Sequence, residues 1–384
     1  MATLSHRERV VKALNHEEPD RVPRDLGGAA TATIHVPAFN RLVKYLGLDE
    51  EARDIDRYLS TPSIPDSLLE RFDIDCRRLR LGKAELSPEV VLDDRSYRDE
   101  WGVVWARSGE GHYINVRGPF QNEEPGLAEL EKHAWPDPRD PGRIRGLKER
   151  AQQLHRENEY AVVLNLPYAI VATCQRVRGF AEWLEDLVLN PGLADALMEY
   201  SLMVSAGMAE FVLEEVGEYV DVVVFLDDLG FQDRCYVRPE LYRERIKPYH
   251  RRLVEAIKSK TGAKVLLHSD GSVYSIIADL IDIGVDALNP VQVSAAGMDS
   301  RRLKEEFGAD MSFWGGIDTH QVLPFGSPED VRNEVKTRIQ DMGPGGGYVL
   351  ASVHNIQAEV PPENIVAMFD SALEYGRYER HTRT

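Results

Sequence analysis

Short apolar runs alternate with longer amphipathic ones through most of this chain. From about residue 128 the segments AVVLNLP, DVVVFLDD, KVLLHSD, DALNP, MSFWGGID and GYVLASVH read as strands. Between them lie helical patterns: about 143–157, GFAEWLEDLVLN, PGLADALMEYSLMVSAGMAEFVLEEVG, PELYRERIKPYHRRLVEAIKSKTG, VYSIIADLIDIG, SRRLKEEFG and PEDVRNEVKTRIQDMG. PPENIVAMFDSALEYGRY forms the last helix. Strands apolar throughout are buried on both faces, as in a parallel sheet. A repeat of roughly 22 to 40 residues fits an enlarged (β/α)8 TIM barrel in the α/β class, a single domain over 1–384. A doubly wound open sheet would place a glycine-rich turn after its first strand, and none is seen. The glycine cluster at 343–347 precedes a strand and reads as a turn, not a phosphate cradle.

The N-terminal part is less regular. Ser5 and Glu8 form an S-x-x-E capping box ahead of Val10, Val11 and Leu14 at helical spacing. Pro19 and Pro23 end that helix, and a short extended piece is expected near Arg24 to Leu26. Residues 38–70 look helical and amphipathic. Residues 75–120 read as short strands and turns, a small β excursion or lid over the barrel.

Composition adds exclusions. A net charge of −18 gives no basic footprint for nucleic acid. Cys76, Cys174 and Cys235 are far apart and form no CxxC pair, so they read as buried small apolar residues. No continuous apolar run approaches the roughly 18 residues of a membrane span. The charged N-terminus is unlike a secretory signal, and a cytoplasmic protein is expected.

In a barrel the active face lies at the C-terminal ends of the strands. The polar residues collect there: Asn165 and Tyr168, Asp227 and Asp228, His268 and Asp270, Asn289, Asp318 and His320, then His354, with Arg24 and Asp25 near the first strand. Two histidines with several carboxylates suit Zn²⁺ or Fe²⁺ and suit acid/base catalysis equally. Each has a plainer reading. Asp270 can cap the following helix, Asp318 can form an Asx turn, and His320 can be a surface residue. Of the adjacent Asp227 and Asp228, one is expected to face inward. His6, His16, His155, His250 and His381 sit in charged helices or the tail and are expected to be exposed. Trp101, Trp105, Tyr168, Phe231 and Trp314 are core residues or an apolar pocket. The helix from Pro239, with Tyr242, Tyr249 and Leu253, packs on the barrel or forms a homodimer face.

WGGIDTHQVLPFGSPEDVRNEV, the glycine turn before GYVLASVHNI, PPENIVAMFDSALEYGRY and the N-terminal RERVVKALNHEEPDRVP resemble the uroporphyrinogen decarboxylase superfamily. The resemblance implies an enlarged (β/α)8 barrel and one of two chemistries. One is cofactor-free decarboxylation of a tetrapyrrole acetate. The other is methyl transfer to or from a corrinoid, with a zinc that activates a thiol. The decarboxylases' arginine-rich M-R-Q-A-G-R segment corresponds to PRDLGGAATATIH, where only Arg24 could serve. Their G-H-G-I motif corresponds to Val353-His354-Asn355-Ile356. Their expected tyrosine is replaced by Thr173 and Cys174, with Tyr168 too early. The zinc methyltransferases' His-x-Cys corresponds to His268-Ser269-Asp270, and their last Cys to His354.

The resemblance therefore implies His268, Asp270 and His354 as ligands of zinc or another divalent metal, with Asp228 or Asp227 as a fourth ligand or as a partner that orients an imidazole. Replacing sulfur by nitrogen and oxygen favours polarising an ether, alcohol or carboxylate oxygen. The function expected is methyl transfer from a small methylated substrate to a separate corrinoid protein, since no D-x-H-x-x-G corrinoid motif occurs. Asp228, His354, Asp227 and Tyr168 are the candidate catalytic residues; Arg24, Asp25, Asn165, Arg178, Asn289, Asp318 and His320 are the substrate-binding candidates. The alternative is a carboxy-lyase acting on a small or tetrapyrrole acid without a metal, with Arg24 or Arg178 gripping its carboxylate.

Overall fold

The computed structural model of the chain describes residues 4–107, 112–122, 124–157 and 159–378, Tyr168 without its side chain. Its centre is a seven-stranded parallel sheet: β1 Cys76–Arg80, β2 Ala161–Tyr168, β3 Val222–Leu226, β4 Lys264–His268, β5 Ala287–Asn289, β6 Ser312–Ile317 and β7 Tyr348–Ser352. They pair in simple sequence order from β1 to β7. The segment before β1 closes the gap between the edges. Pro23 and Asp25 bond to Leu350 of β7 through Leu350 N–H (2.9 Å) and Asp25 N–H (2.9 Å), and Arg24 C=O accepts from Asp75 N–H at 3.0 Å. Proline has no N–H for a ladder, so this eighth position carries only isolated bridges.

The two faces of each strand divide as the pleat requires. Ala161 and Val163, Val222 and Val224, Leu266, Ala287, Trp314, Val349 and Ala351 fill the barrel interior. Their neighbours Val223, Phe225, Val265, Leu267, Leu288, Phe313 and Leu350 face the surrounding helices. The capping box at Ser5 and Glu8 is formed and starts the helix His6–Leu14.

Three expectations change. Cys76–Arg80 is a barrel strand, paired in parallel with Ala161–Asn165, so the excursion begins later. It is a four-stranded antiparallel sheet over Val90–Val91, Ser96–Arg98, Val104–Arg107 and Tyr113–Arg117. The region 38–70 holds the helices Val36–Tyr45 and Asp66–Arg71 with a β-hairpin, Arg53–Asp56 and Thr61–Ser63, between them. His250 is fully buried, on the inner face of helix Lys247–Lys258, and His6, His16 and His155 are half-buried and not exposed, whereas His381 lies outside the described residues. The helical segment from Pro239 to Lys258 packs on the barrel through Tyr242 and Leu253, each 1% exposed. Among the described residues one helical stretch, Pro191–Tyr219, is long and apolar enough to cross a membrane, but half of its most apolar window is buried against the rest of the chain.

Candidate functional site

The loop after β4 is held in a tight turn. Ser269 N–H bonds to Asn289 C=O (2.7 Å), and Gly271 N–H to Gln292 Oε1 (2.7 Å). Gly271 has φ +84°, and a Cβ there would lie 2.3 Å from Gly230 O, so only glycine fits. This turn aims Asp270 back over the barrel mouth, beside His268.

His268 is 1% exposed. Asn289 Nδ2 donates to Trp314 C=O, which turns its Oδ1 toward the imidazole, 2.7 Å from His268 Nδ1. Nδ1 therefore carries a proton, and Nε2 faces the mouth. Thr31 reaches the same point, its hydroxyl donating to Asn289 Oδ1 at 3.0 Å and lying 3.0 Å from Nδ1. What Nε2 faces is two carboxylates, Asp228 at 3.8 Å and Asp270 at 3.9 Å. His354 Nε2 stands 4.0 Å from the same Asp270 oxygen, and the two imidazole centroids are 5.5 Å apart. His354 holds φ +62°, a left-handed conformation that costs a non-glycine residue energy and is typical of functional positions.

Burial, reinforced by Asp270, raises the Asp228 carboxyl. Burial lowers the His354 imidazole, with His268 adding to the effect and Asp270 opposing it. Asp228 Oδ1 accepts from Asp270 N–H at 3.0 Å, while Asp270 Oδ1 is buried without a partner. One ligand atom each from His268, Asp270 and His354 lie within 4.8 Å of one another. One imidazole nitrogen faces two carboxyl groups, and one buried carboxylate oxygen has no donor. That donor chemistry fits a divalent cation. Beside the cluster opens a cavity of about 560 Å³, lined by His320, Gln292 and Gln357 as well as Asp270 and His354.

The structure brings five expected residues to this mouth: Asp228, His268, Asp270, His354 and, as an exposed rim residue, His320. Asn289 is there too, but its amide orients His268. Asn165 is spent on the loop that carries Thr31, bonding Ala30 N–H (2.7 Å) and Gly28 C=O (2.8 Å). Asp318 makes the Asx turn, accepting from His320 N–H at 2.7 Å.

Other candidates turn elsewhere. Asp227 points away from the mouth. It accepts from the N–H groups of Ile170, Val171 and Ala172 at the start of helix Ile170–Arg178, and it pairs with buried His250 at 2.8 Å. Arg178 is buried against Asp186 at 2.6 Å and Phe120 C=O at 2.8 Å. Arg24, 0% exposed, faces Asp73 at the base of the barrel. Asp25 lies in the barrel interior and accepts from Gly28 N–H, Ala29 N–H and Trp314 Nε1–H. Tyr168 ends β2, with its side chain outside the described ones. Sequence reasoning missed Thr31, Gln292 and Tyr236; the Tyr236 hydroxyl is raised by burial and then by Asp228 and Asp270. None carried a signal, because a hydroxyl or amide in a loop has no periodicity.

A parallel barrel with a titratable cluster at its strand ends is an enzyme architecture, and here it carries a candidate metal site. The family model for uroporphyrinogen decarboxylase (URO-D) matches residues 112–375, and the chain belongs to that family. Among similar proteins is the uroporphyrinogen decarboxylase of Pelodictyon phaeoclathratiforme, 22% identical over 48% of this chain and 50% of its own length. The chain thus spans about half the length of such curated relatives. A methylated-thiol–coenzyme M methyltransferase of Methanosarcina mazei is 23% identical over 65% of this chain and 64% of its own. A solved methyltransferase structure from Methanosarcina mazei superposes with a TM-score of 0.67 at 16% identity, covering 97% of this chain and 99% of that one. This last likeness bears on the fold.

Proposed function

We propose that the protein is a metal-assisted methyltransferase that moves a methyl group from a small methylated substrate to a corrinoid carried by a separate protein. The single observation behind this reading is the cluster itself, one ligand atom each from two imidazoles and a carboxylate, His268, His354 and Asp270, within 4.8 Å of one another. His268 Nε2, Asp270 and His354 would hold the cation, zinc or another divalent ion, with Asp228 beside them. When bound, such a cation supplies Lewis acidity to the heteroatom that bears the methyl group. Asn289 and Thr31 keep Nε2 aimed at the mouth. Asp228, raised by burial and by Asp270, holds a proton more readily than an ordinary carboxylate and is placed to deliver it. In the proposed transfer the methyl–heteroatom bond breaks, the heteroatom keeps the electron pair and takes the proton from Asp228, and the methyl group would pass to the reduced corrinoid of the partner, whose own electron pair would form the new bond. The nitrogen and oxygen ligand set favours an oxygen leaving group over a thiol.

The test is metal content in protein purified without a chelator or a His-tag, read with methyl transfer from simple methyl ethers to free reduced cobalamin. About one Zn or Fe per chain is expected, lost in both His268→Ala and His354→Ala while the fold persists. No metal in the wild type, with both variants folded and unaltered, overturns the reading. The family match favours one alternative, a carboxy-lyase acting on a small or tetrapyrrole acid without a cofactor. Activity on a carboxylic acid that survives chelation would establish it.

A further inference from the structure

The segment Gly27–Ile34 crosses the barrel mouth with two hydroxyls turned to different places. Thr31 touches His268. Thr33 lines a second pocket of about 410 Å³, which shares no lining residue with the cavity at the cluster. Four arginines border this second pocket: Arg77, Arg78, Arg80 and Arg150. Three have protein partners. Arg80 bonds Asp54 C=O (3.0 Å) and Asp56 (3.1 Å). Arg77 bonds two backbone carbonyls, stacks on Tyr160 and lies 3.6 Å from Asp66. Arg150 bonds Gln153 at 3.1 Å.

Arg78 differs. It sits two residues from Cys76 on β1, so both share the inward face of the strand. Its Nε is buried without a partner, and among the described residues no carboxylate lies within ion-pair distance of its guanidinium. Asp56 and Asp25 act on it only through space, and both oxygens of Asp25 are already taken by N–H donors. Burial, with Arg80 adding repulsion, brings the guanidinium down to about 10. The Thr33 hydroxyl, on a residue 1% exposed, has no partner either. Gly27, at φ +89°, lines the same pocket, and a Cβ there would press on Ile64 at 2.8 Å and stand 3.7 Å from Thr33 Oγ1, so glycine is required. Two unpartnered polar groups thus line one pocket, and buried polar groups left unpaired in a native fold call for a partner.

We propose that this pocket is an oxyanion subsite, in which the Arg78 guanidinium and the Thr33 hydroxyl bind a carboxylate or phosphate group of a small molecule. It goes beyond the methyl-transfer reading and does not rest on it, because the pocket shares no lining residue with the cavity at the cluster. A planar guanidinium with unspent N–H groups matches either oxyanion.

The test is titration of the full-length protein with sodium benzoate and, separately, inorganic phosphate at constant ionic strength. Calorimetry and thermal unfolding are the readouts, on the wild type, Arg78→Met, Arg78→Lys, Thr33→Val and His268→Ala. Saturable binding of at least one anion is expected in the wild type. It should weaken about 10-fold or more in Arg78→Met, recover in part in Arg78→Lys, and weaken several-fold in Thr33→Val. His268→Ala should bind the anion as the wild type does while losing its metal, which separates failure of this subsite from failure of the metal reading. Benzoate binding alone would assign a carboxylate, and phosphate binding alone a phosphate. Arg78→Met should fold at least as stably as the wild type, because the charge it removes has no partner. The proposal is overturned by absence of saturable binding in the wild type, by undiminished binding in a folded Arg78→Met, or by binding lost in His268→Ala.

Discussion

The base and the mouth of the barrel each gather buried ionisable groups, and they treat them in opposite ways. At the base Asp75, 0% exposed, accepts from Arg9 Nη1 (2.6 Å), Arg21 Nη1 (2.7 Å), Arg24 N–H (2.7 Å) and His6 Nδ1 (2.8 Å). Burial by itself would raise this carboxyl, but His6, Arg21 and Arg9 outweigh it and hold the group well below the usual carboxylate range. At the mouth burial raises Asp228 and Asp270 adds to it. The carboxyl groups there meet His268 Nε2 at 3.8 and 3.9 Å and an imidazole, His354, lowered by burial. Around Asp75 the base spends its charges on one another and contributes stability. The mouth leaves acceptors unspent, and that unspent capacity is what a ligand can use.

Substitution breaks or sharpens this contrast. Asp75→Ala strands buried guanidinium groups and should cost roughly 3–5 kcal/mol in urea unfolding. Asp270→Ala removes a carboxylate that pairs poorly in the empty protein, so it should change stability by less than about 1 kcal/mol. Equal losses in the two variants would erase the distinction. At the mouth the larger effect is on metal. Asn289→Ala frees the His268 ring, and affinity should fall about 10- to 100-fold in competition with a chromophoric chelator. An unchanged affinity would mean that the ring is held by its packing alone.

The two Asp residues with the clearest shifts predict a pH profile. Asp75 is depressed in the folded state, so its contribution is present above its unfolded value of about 4 and is lost as pH falls below it. Asp25 runs the other way. Burial raises it to about 6. Its contribution is complete below about 4 and lost as pH rises through 6, at most about 3 kcal/mol for some two units. Unfolding free energy should therefore drop below pH 4 in the wild type, and Asp75→Asn should flatten that acid limb. An acid limb unchanged in the variant would assign acid sensitivity to other groups.

Much of the barrel was legible because β2 to β7 are apolar on both faces and end in polar residues. The same rule found His268, Asp270 and His354, since residues at strand ends converge whatever their separation in sequence. Cys76–Arg80 escaped it. CRRLR looks like a surface strand, yet Arg77 covers Tyr160 and Arg78 faces inward without a partner. The eighth barrel position was half visible, because Pro23 interrupts the pattern that would mark a strand. His250 was misjudged since Arg251, Arg252 and Glu255 surround it in sequence, while the helix turns it inward to Asp227 and Tyr242. Which of Asp227 and Asp228 faces the mouth could not be read from adjacent identical residues. The answer depends on a helix N-terminus, at Ile170, that arrives from elsewhere in the chain.

The smallest expected effect probes the least visible residue. Thr31 lies in GGAATATIH, where nothing in the pattern marks one hydroxyl over another. Its Oγ1 donates to Asn289 Oδ1, which His268 Nδ1–H also uses, at 3.0 and 2.7 Å. Thr31→Val keeps the shape and removes one of the two donors on that oxygen. Asn289 still accepts from the imidazole, so the tautomer survives and no buried acceptor is left bare. The expected loss is about 0.5–1.5 kcal/mol of stability. Metal affinity should fall a few-fold, clearly less than in Asn289→Ala. If Thr31→Val matched Asn289→Ala, the hydroxyl and not the amide would be what fixes the ring. The loop Gly27–Ile34 would then belong to the candidate metal site as fully as β4 does.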